Sequence, residues 1–288
     1  MNWLVHGWGV RLVRTIITIL LVVSVVAAGV WFAGPRALQA MGLHPVYAGP
    51  RYELAGGRAL IITTSIGTLG ETGKATGVFA SEMTAPYYEF LDGGLTVDIA
   101  SIKGGEIPID PISFNHFVRA ASDERYLADA AFQAKVKNAL AIADLDFTAY
   151  DIIYLAGGWG AAYDLGTSDI LGAKITTAWA ANRVIGGVCH GPLGLLKARD
   201  AEGKPLVTGR RLTAVSDKQV EELGITITPL HPERELRAAG ATYEKATAFQ
   251  DIFANLVVID GRLVTGQNQN AGPETAQRMI EIAGGKPR

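Results

Sequence analysis

The 288-residue chain has one cysteine, Cys189. It can form no internal disulfide, and a cysteine-rich metal site is excluded. Its five histidines, His6, His44, His116, His190 and His231, are scattered, with no pair at metal-ligand spacing. No metal is expected. Neither sign of charge dominates: 26 Lys and Arg stand against 28 Asp and Glu, a formal net charge of −2. That balance provides no broad field for nucleic acid, so no such partner is expected. The GxxxxGK[ST] phosphate loop is absent, and so is the Gly-x-Ser-x-Gly elbow of serine hydrolases. There is no internal repeat and no low-complexity tract.

No acidic residue precedes Glu53, and the stretch from Thr15 to Ala33 is almost wholly apolar. As a helix it would reach roughly 28 Å, about the hydrocarbon thickness of a bilayer. Arg11 and Arg14 lie before it, and Trp8, Trp31 and Phe32 fall near its ends, where interfacial aromatics belong. A signal peptide would have a shorter apolar region and a better small-x-small site than Ala37-Leu-Gln-Ala40. The expectation is a single-pass membrane protein held by one transmembrane helix. The basic residues favour a cytoplasmic N-terminus and an extracytoplasmic main domain. Residues 1–36 are read as the anchor, 37–57 as a tether punctuated by Pro45 and Pro50, and 58–288 as the catalytic domain.

From Arg58 onward, short apolar strand-like runs alternate with helical spacing. Strands are expected at 58–65, 95–101, 150–156, 183–188 and 211–215, with a hairpin turning at Asp260-Gly261. Helices are expected at 129–143, 170–182 and 272–283. This alternation implies an α/β protein whose mostly parallel sheet is covered on both faces. Ligands in such sheets bind beyond the carboxyl ends of the strands. Cys189 and the Gly157-Gly-Trp-Gly160 turn both lie at such ends.

Around the cysteine, the run Arg183-Val-Ile-Gly-Gly-Val leads into Cys189-His190-Gly191-Pro192, followed by helix-like Leu193-Gly-Leu-Leu-Lys-Ala. A thiol at a strand-to-helix turn is exposed above the sheet near the positive end of a helix. That setting favours the thiolate, the reactive form. Cys189 is therefore read as a nucleophile, with His190 beside it as a proton relay. A lone cysteine is otherwise a small core residue.

Six motifs then point one way: Glu82-Met-Thr-Ala-Pro86-Tyr-Tyr, Val97-Asp-Ile-Ala-Ser-Ile-Lys-Gly-Gly, Ile109-Asp-Pro, Ala156-Gly-Gly-Trp-Gly-Ala, Val188-Cys-His-Gly-Pro and Asp260-Gly-Arg-Leu-Val-Thr-Gly-Gln-Asn. Together, in register from about Arg58 to the C-terminus, they resemble the ThiJ/PfpI superfamily, which is class I glutamine-amidotransferase-like. Within it they resemble the branch of heat-shock chaperones and glutathione-independent glyoxalase III enzymes. The resemblance implies a flavodoxin-like three-layer sandwich, often a homodimer. It implies Cys189 as nucleophile, His190 as its neighbour, Glu82 as the carboxyl reaching it from another loop, and Gly157 and Gly158 as amide donors. Trp159 stands where the family often has histidine, and Val220 where it often has the acid of a Cys-His-acid set. Glu221, one step on, is the substitute acid, with Asp217 three before. Trp159, Tyr87 and His116 are candidates to line the pocket.

The implied chemistry converts methylglyoxal or a related 2-oxoaldehyde to a 2-hydroxy acid with no cofactor. Two alternatives remain open: a cysteine amidohydrolase or peptidase, and a non-enzymatic chaperone or redox sensor whose thiol oxidises reversibly.

Overall fold

The computed structural model describes residues 4–288, with side chains from Arg11 onward; Trp8, expected at a membrane interface, lies outside the described side chains. Two compact units are present, 1–41 and 42–288.

The first is one helix, α1 (Leu4–Ala40), which runs through Pro35. Its large apolar side chains from Leu12 to Phe32 stand exposed. By length and composition it could cross a bilayer.

In the second unit, a seven-stranded sheet is formed by β1 (Arg58–Thr63), β2 (Thr96–Ser101), β3 (Leu140–Ala141), β4 (Ile152–Leu155), β5 (Val184–Val188), β6 (Val257–Asp260) and β7 (Leu263–Gly266). Their order across the sheet is β3-β2-β1-β4-β5-β7-β6. Every pair is parallel except β7 with β6. That exception is the expected hairpin at Asp260-Gly261.

Alternation along each strand sorts side chains onto two faces. Ala59 and Ile61 join one apolar cluster with Ile99, Tyr154 and Val264, covered by α2 (Ala80–Asp92) and a C-terminal helix, Gly272–Ile282. Leu60 and Ile62 join the other with Ile153, Leu155 and Ile185, covered by α3 (Asp169–Ala180). These are the three layers the strand-helix alternation predicts.

Four expectations are corrected. The segment 129–143 is helical only over Ala130–Lys137; Leu140–Ala141 then adds a strand to the edge of the sheet beside β2. Of 211–215, only Arg211–Leu212 is a strand, and it pairs with Thr242–Tyr243 outside the main sheet. Gly191–Leu195 after the cysteine is a short 3-10 segment, so the α-helix expected to start directly after the thiol is not formed. Of the expected tether, 37–40 continues α1 and the remainder from residue 42 folds with the domain: Leu43 is buried, and Tyr52–Glu53 pairs with Lys286–Pro287. Its prolines and glycines mark turns, because Tyr52 supplies an apolar ring that the core takes up.

Candidate active site

Cys189 is the first residue after β5, at the carboxyl end of the sheet. Its backbone has φ +59°, a left-handed conformation rare for a side chain with a Cβ. Such strain costs on the order of 1–3 kcal/mol and persists only when neighbours hold it. Here the Cys189 N–H donates to the Gly266 carbonyl at 3.1 Å, and the Val215 N–H donates to the Cys189 carbonyl at 3.0 Å. The turn thus aims the thiol off the strand end, at a pocket.

Glu82 reaches the same spot from the first turn of α2 and is 1% exposed. A helix N-terminus favours a carboxylate by roughly 0.3–1 kcal/mol. Burial outweighs that and raises the carboxyl to about 8, against the lowering effects of contact with Cys189 and of the Gly158 and Gly157 amides. Burial also pushes the Cys189 thiol well up, and the Glu82 charge adds to it; the amides of Gly158 and His190 oppose both. This corrects the expectation that the turn alone favours a thiolate, since burial dominates and the segment that follows the cysteine is 3-10 and not an α-helix. The two acids behave as one coupled pair. The thiol is the weaker acid of the pair, so the first charge rests on Glu82, and transfer of the Cys189 proton to that carboxylate produces the thiolate. Beneath them lies Tyr154, wholly buried, its hydroxyl unpartnered among the described residues and its pKa raised by burial, then by Glu82 and Cys189.

The glycines are dictated by close approach. A Cβ on Gly157 would sit 2.5 Å from Glu82 Oε2 and 2.7 Å from the His190 nitrogen. Gly158 has φ +88°, and a Cβ there would run into the Phe79 nitrogen. Both amides face Glu82, and those of Gly158 and His190 face the sulfur. The His190 backbone donor is therefore a site group that sequence reasoning missed, since it had assigned only the side chain a role.

His190 is 2% exposed, and its Nδ1 lies 3.4 Å from Cys189 Sγ. Burial, then the proximity of His231, lowers its pKa to about 3, so the ring is neutral at working pH. Its Nε2 has no partner among the described residues. Glu221 is exposed and does not reach it. The reason is helical pitch: Val220 points inward from the helix Asp217–Glu222, so its neighbour points out. Asp217 instead lies 3.6 Å from His231 Nδ1 and bonds Arg234 at 2.9 Å.

Cys189, His190, Glu82, Gly158 and Trp159 share the lining of one pocket of about 220 Å³, together with Phe79 and Val220. The Trp159 and His190 ring centroids are 5.5 Å apart, and Trp159 Nε1 is buried with no partner among the described residues. Tyr87 is a core residue instead, stacked on Phe132 with centroids 3.5 Å apart. His116 is not part of the lining. The lining residues Phe79 and Ile112 lack any sequence signal: each comes from a loop or short helical segment brought in by tertiary folding.

The sequence profile of the DJ-1/PfpI family matches residues 74–282. Glyoxalase 3 of Candida albicans is 30% identical over 228 residues, covering 77% of this chain and 95% of that one. The structure of glyoxalase III from Candida albicans superposes with a TM-score of 0.71 at 29% identity, covering 78% of this chain and 97% of its own. The Rapid Encystment Protein 24 KDa of Francisella tularensis gives a TM-score of 0.73 at 32% identity, covering 79% and 99%.

Proposed function

The chain belongs to the DJ-1/PfpI family, and from that premise we propose that it is a glutathione-independent glyoxalase acting on methylglyoxal or related 2-oxoaldehydes. The observation that carries this reading is the buried Cys189–Glu82 pair sharing a pocket with backbone donors. The relatives named above as glyoxalases support it.

The Cys189 thiolate adds to the aldehyde carbon, forming a C–S bond. The nascent oxyanion is met by the amides of Gly158 and His190, and takes the Glu82 proton to give a hemithioacetal. The Glu82 carboxylate then removes the hydrogen from that carbon, leaving an enediolate whose hydroxyl proton passes to the neighbouring oxygen. Glu82 returns the abstracted proton to the neighbouring carbon, which becomes the hydroxyl-bearing carbon of a thioester, and the first carbon becomes its carbonyl. Water cleaves the thioester, releasing the 2-hydroxy acid and restoring the thiol. Trp159 Nε1 and His190 Nε2, both without partners among the described residues, suit the ketone oxygen. His190 is neutral, so it acts here as a hydrogen-bonding group and not as a cationic acid. No bound cofactor enters this scheme.

Cys189→Ala should reduce glutathione-free methylglyoxal turnover to background while leaving circular dichroism and melting behaviour close to wild type. Turnover that persists without the thiol sinks the scheme. The peptidase alternative needs an acid on His190, and none of the described residues supplies one.

The helix α1 serves, in this proposal, as a bilayer anchor through Thr15–Ala33, with the catalytic domain outside the cytoplasm. Its exposed apolar surface supports the anchor, and Arg11 and Arg14 support the orientation. Protease protection in intact cells reads out the side, and a cytoplasmic domain would refute it. A homodimer in solution is part of the same reading and is checked by light scattering.

A further inference from the structure

The pocket is much larger than a three-carbon aldehyde requires. At about 220 Å³ it has room for roughly seven water molecules at about 30 Å³ each. Its polar atoms are unevenly distributed. At the floor, Glu82 Oε2, His190 Nε2 and Trp159 Nε1 are all without partners among the described residues. On the walls, the polar side chains are already engaged within the protein. Gln219 Nε2 donates to the Asp251 carbonyl, and its Oε1 accepts from Ser216 N–H and Gln267 Nε2. Asn268 Nδ2 donates to the Ala254 carbonyl, and its Oδ1 accepts from Asn270 N–H. Asp110 accepts from Thr76 Oγ1 and from the Ile112 N–H. Lys74, exposed, and Gln269, partly buried, are the exceptions.

Most of what remains to meet a ligand above the floor is apolar: Phe79, Val118, Val215, Val220, Ile225 and Ile252. The lining continues outward through Leu223 and Ile112, which are 47% and 62% exposed. No charge stands where Val220, 2% exposed, closes the wall.

We infer that the preferred substrate is a 2-oxoaldehyde carrying an extended apolar substituent, not methylglyoxal itself. The two adjacent carbonyl oxygens sit at the polar floor and the hydrocarbon tail runs up the wall past Val220 towards Ile112. This rests on the glyoxalase reading above and specifies its substrate class. Burial of each added methylene against such a wall should raise kcat/KM about fourfold until the pocket is filled.

The test is a homologous series of straight-chain alkylglyoxals, from methyl to hexyl, with the full-length protein in detergent and no glutathione. The carbonyl chemistry is constant along the series, so the slope of log kcat/KM against chain length reports the wall. A rise of tenfold or more between the methyl and butyl members is expected. Val220→Asp and Ile112→Ser, each judged by its own slope, should flatten it. Methylglyoxal turnover with a flat or falling slope overturns this inference and leaves the glyoxalase reading standing. A rising slope that neither substitution alters overturns the assignment to this wall. Absence of turnover across the whole series removes the glyoxalase reading, and this inference with it.

Discussion

Glu82 and Cys189 show how burial and contact compete at the level of single residues. Burial raises the carboxyl to about 8 although backbone amides face it. The sign for stability follows from where the protons are. In the unfolded chain the carboxyl ionises above its ordinary value of 4.5, whereas the folded protein keeps it protonated to about 8. Stability from this group is therefore full below the unfolded value and is lost as pH rises towards 8. Glu82→Gln should abolish turnover yet raise the melting temperature, by little at pH 5 and by several degrees at pH 8. The ceiling is on the order of 5 kcal/mol, at roughly 2–4 °C per kcal/mol for a domain of this size. Calorimetry at the two pH values checks it; an equal effect at both would show that Glu82 ionises normally. The same pair sets reactivity. The singly ionised form is the nucleophilic one, so kcat/KM and the rate of iodoacetamide alkylation should both climb as pH rises through about 8. With one thiol in the chain, alkylation reports Cys189 alone. His190 carries the opposite gradient: its pKa is lowered to about 3, so the unfolded chain takes up a proton below 6.5 that the folded one refuses. Its contribution to stability is lost as pH falls from 6.5 towards 3.

Turns at the strand ends do more of the positioning than helices do. β4 is followed by the Gly157-Gly158 turn, β5 by Cys189, and α2 delivers Glu82 between them. A methyl group on Gly158 would meet both an unfavourable φ and the backbone at Phe79. Gly158→Ala should lower stability by about 2 kcal/mol or more and turnover at least tenfold, because the amide that faces both sulfur and Glu82 must move. A urea titration beside a rate measurement separates the two effects; wild-type values for both would mean the turn is more pliant than its contacts suggest. Here the sequence was legible in part. The runs that became β1, β2, β4 and β5 were readable from apolar continuity, and the hairpin from Asp260-Gly261. The 3-10 segment after Cys189 was not. Pro192 and Gly194 interrupt the helical spacing, and the close packing of Gly191 and Gly194 against Leu155 fixes the tighter coil. The stretch 129–143 was misread because Leu140 and Ala141 continue the apolar spacing, while pairing with β2 is a long-range event.

For the whole molecule, the two compact units make separate demands. Residues 42–288 bury their own core, including Leu43 and Tyr52. Deletion of 1–41 should therefore leave a folded protein with unchanged kcat/KM, while abolishing sedimentation with membranes. A truncated chain that begins at residue 58 should lose several kcal/mol, because it lacks the buried Tyr52 ring and the strand paired with Lys286–Pro287. Loss of folding in the shorter deletion would refute this division.

The amino-acid sequence alone was enough for the layered α/β architecture, the apolar helix and the family of motifs around Cys189, because periodicity and turn residues act over a few neighbours. The resemblance added Glu82. Only the tertiary structure decided that Glu82 and Cys189 share a buried site, that His190 is neutral and lacks an acid among the described residues, and that the pocket walls are largely apolar. Those outcomes depend on which groups exclude water from one another, and desolvation is set by atoms that lie scores of residues apart in the chain.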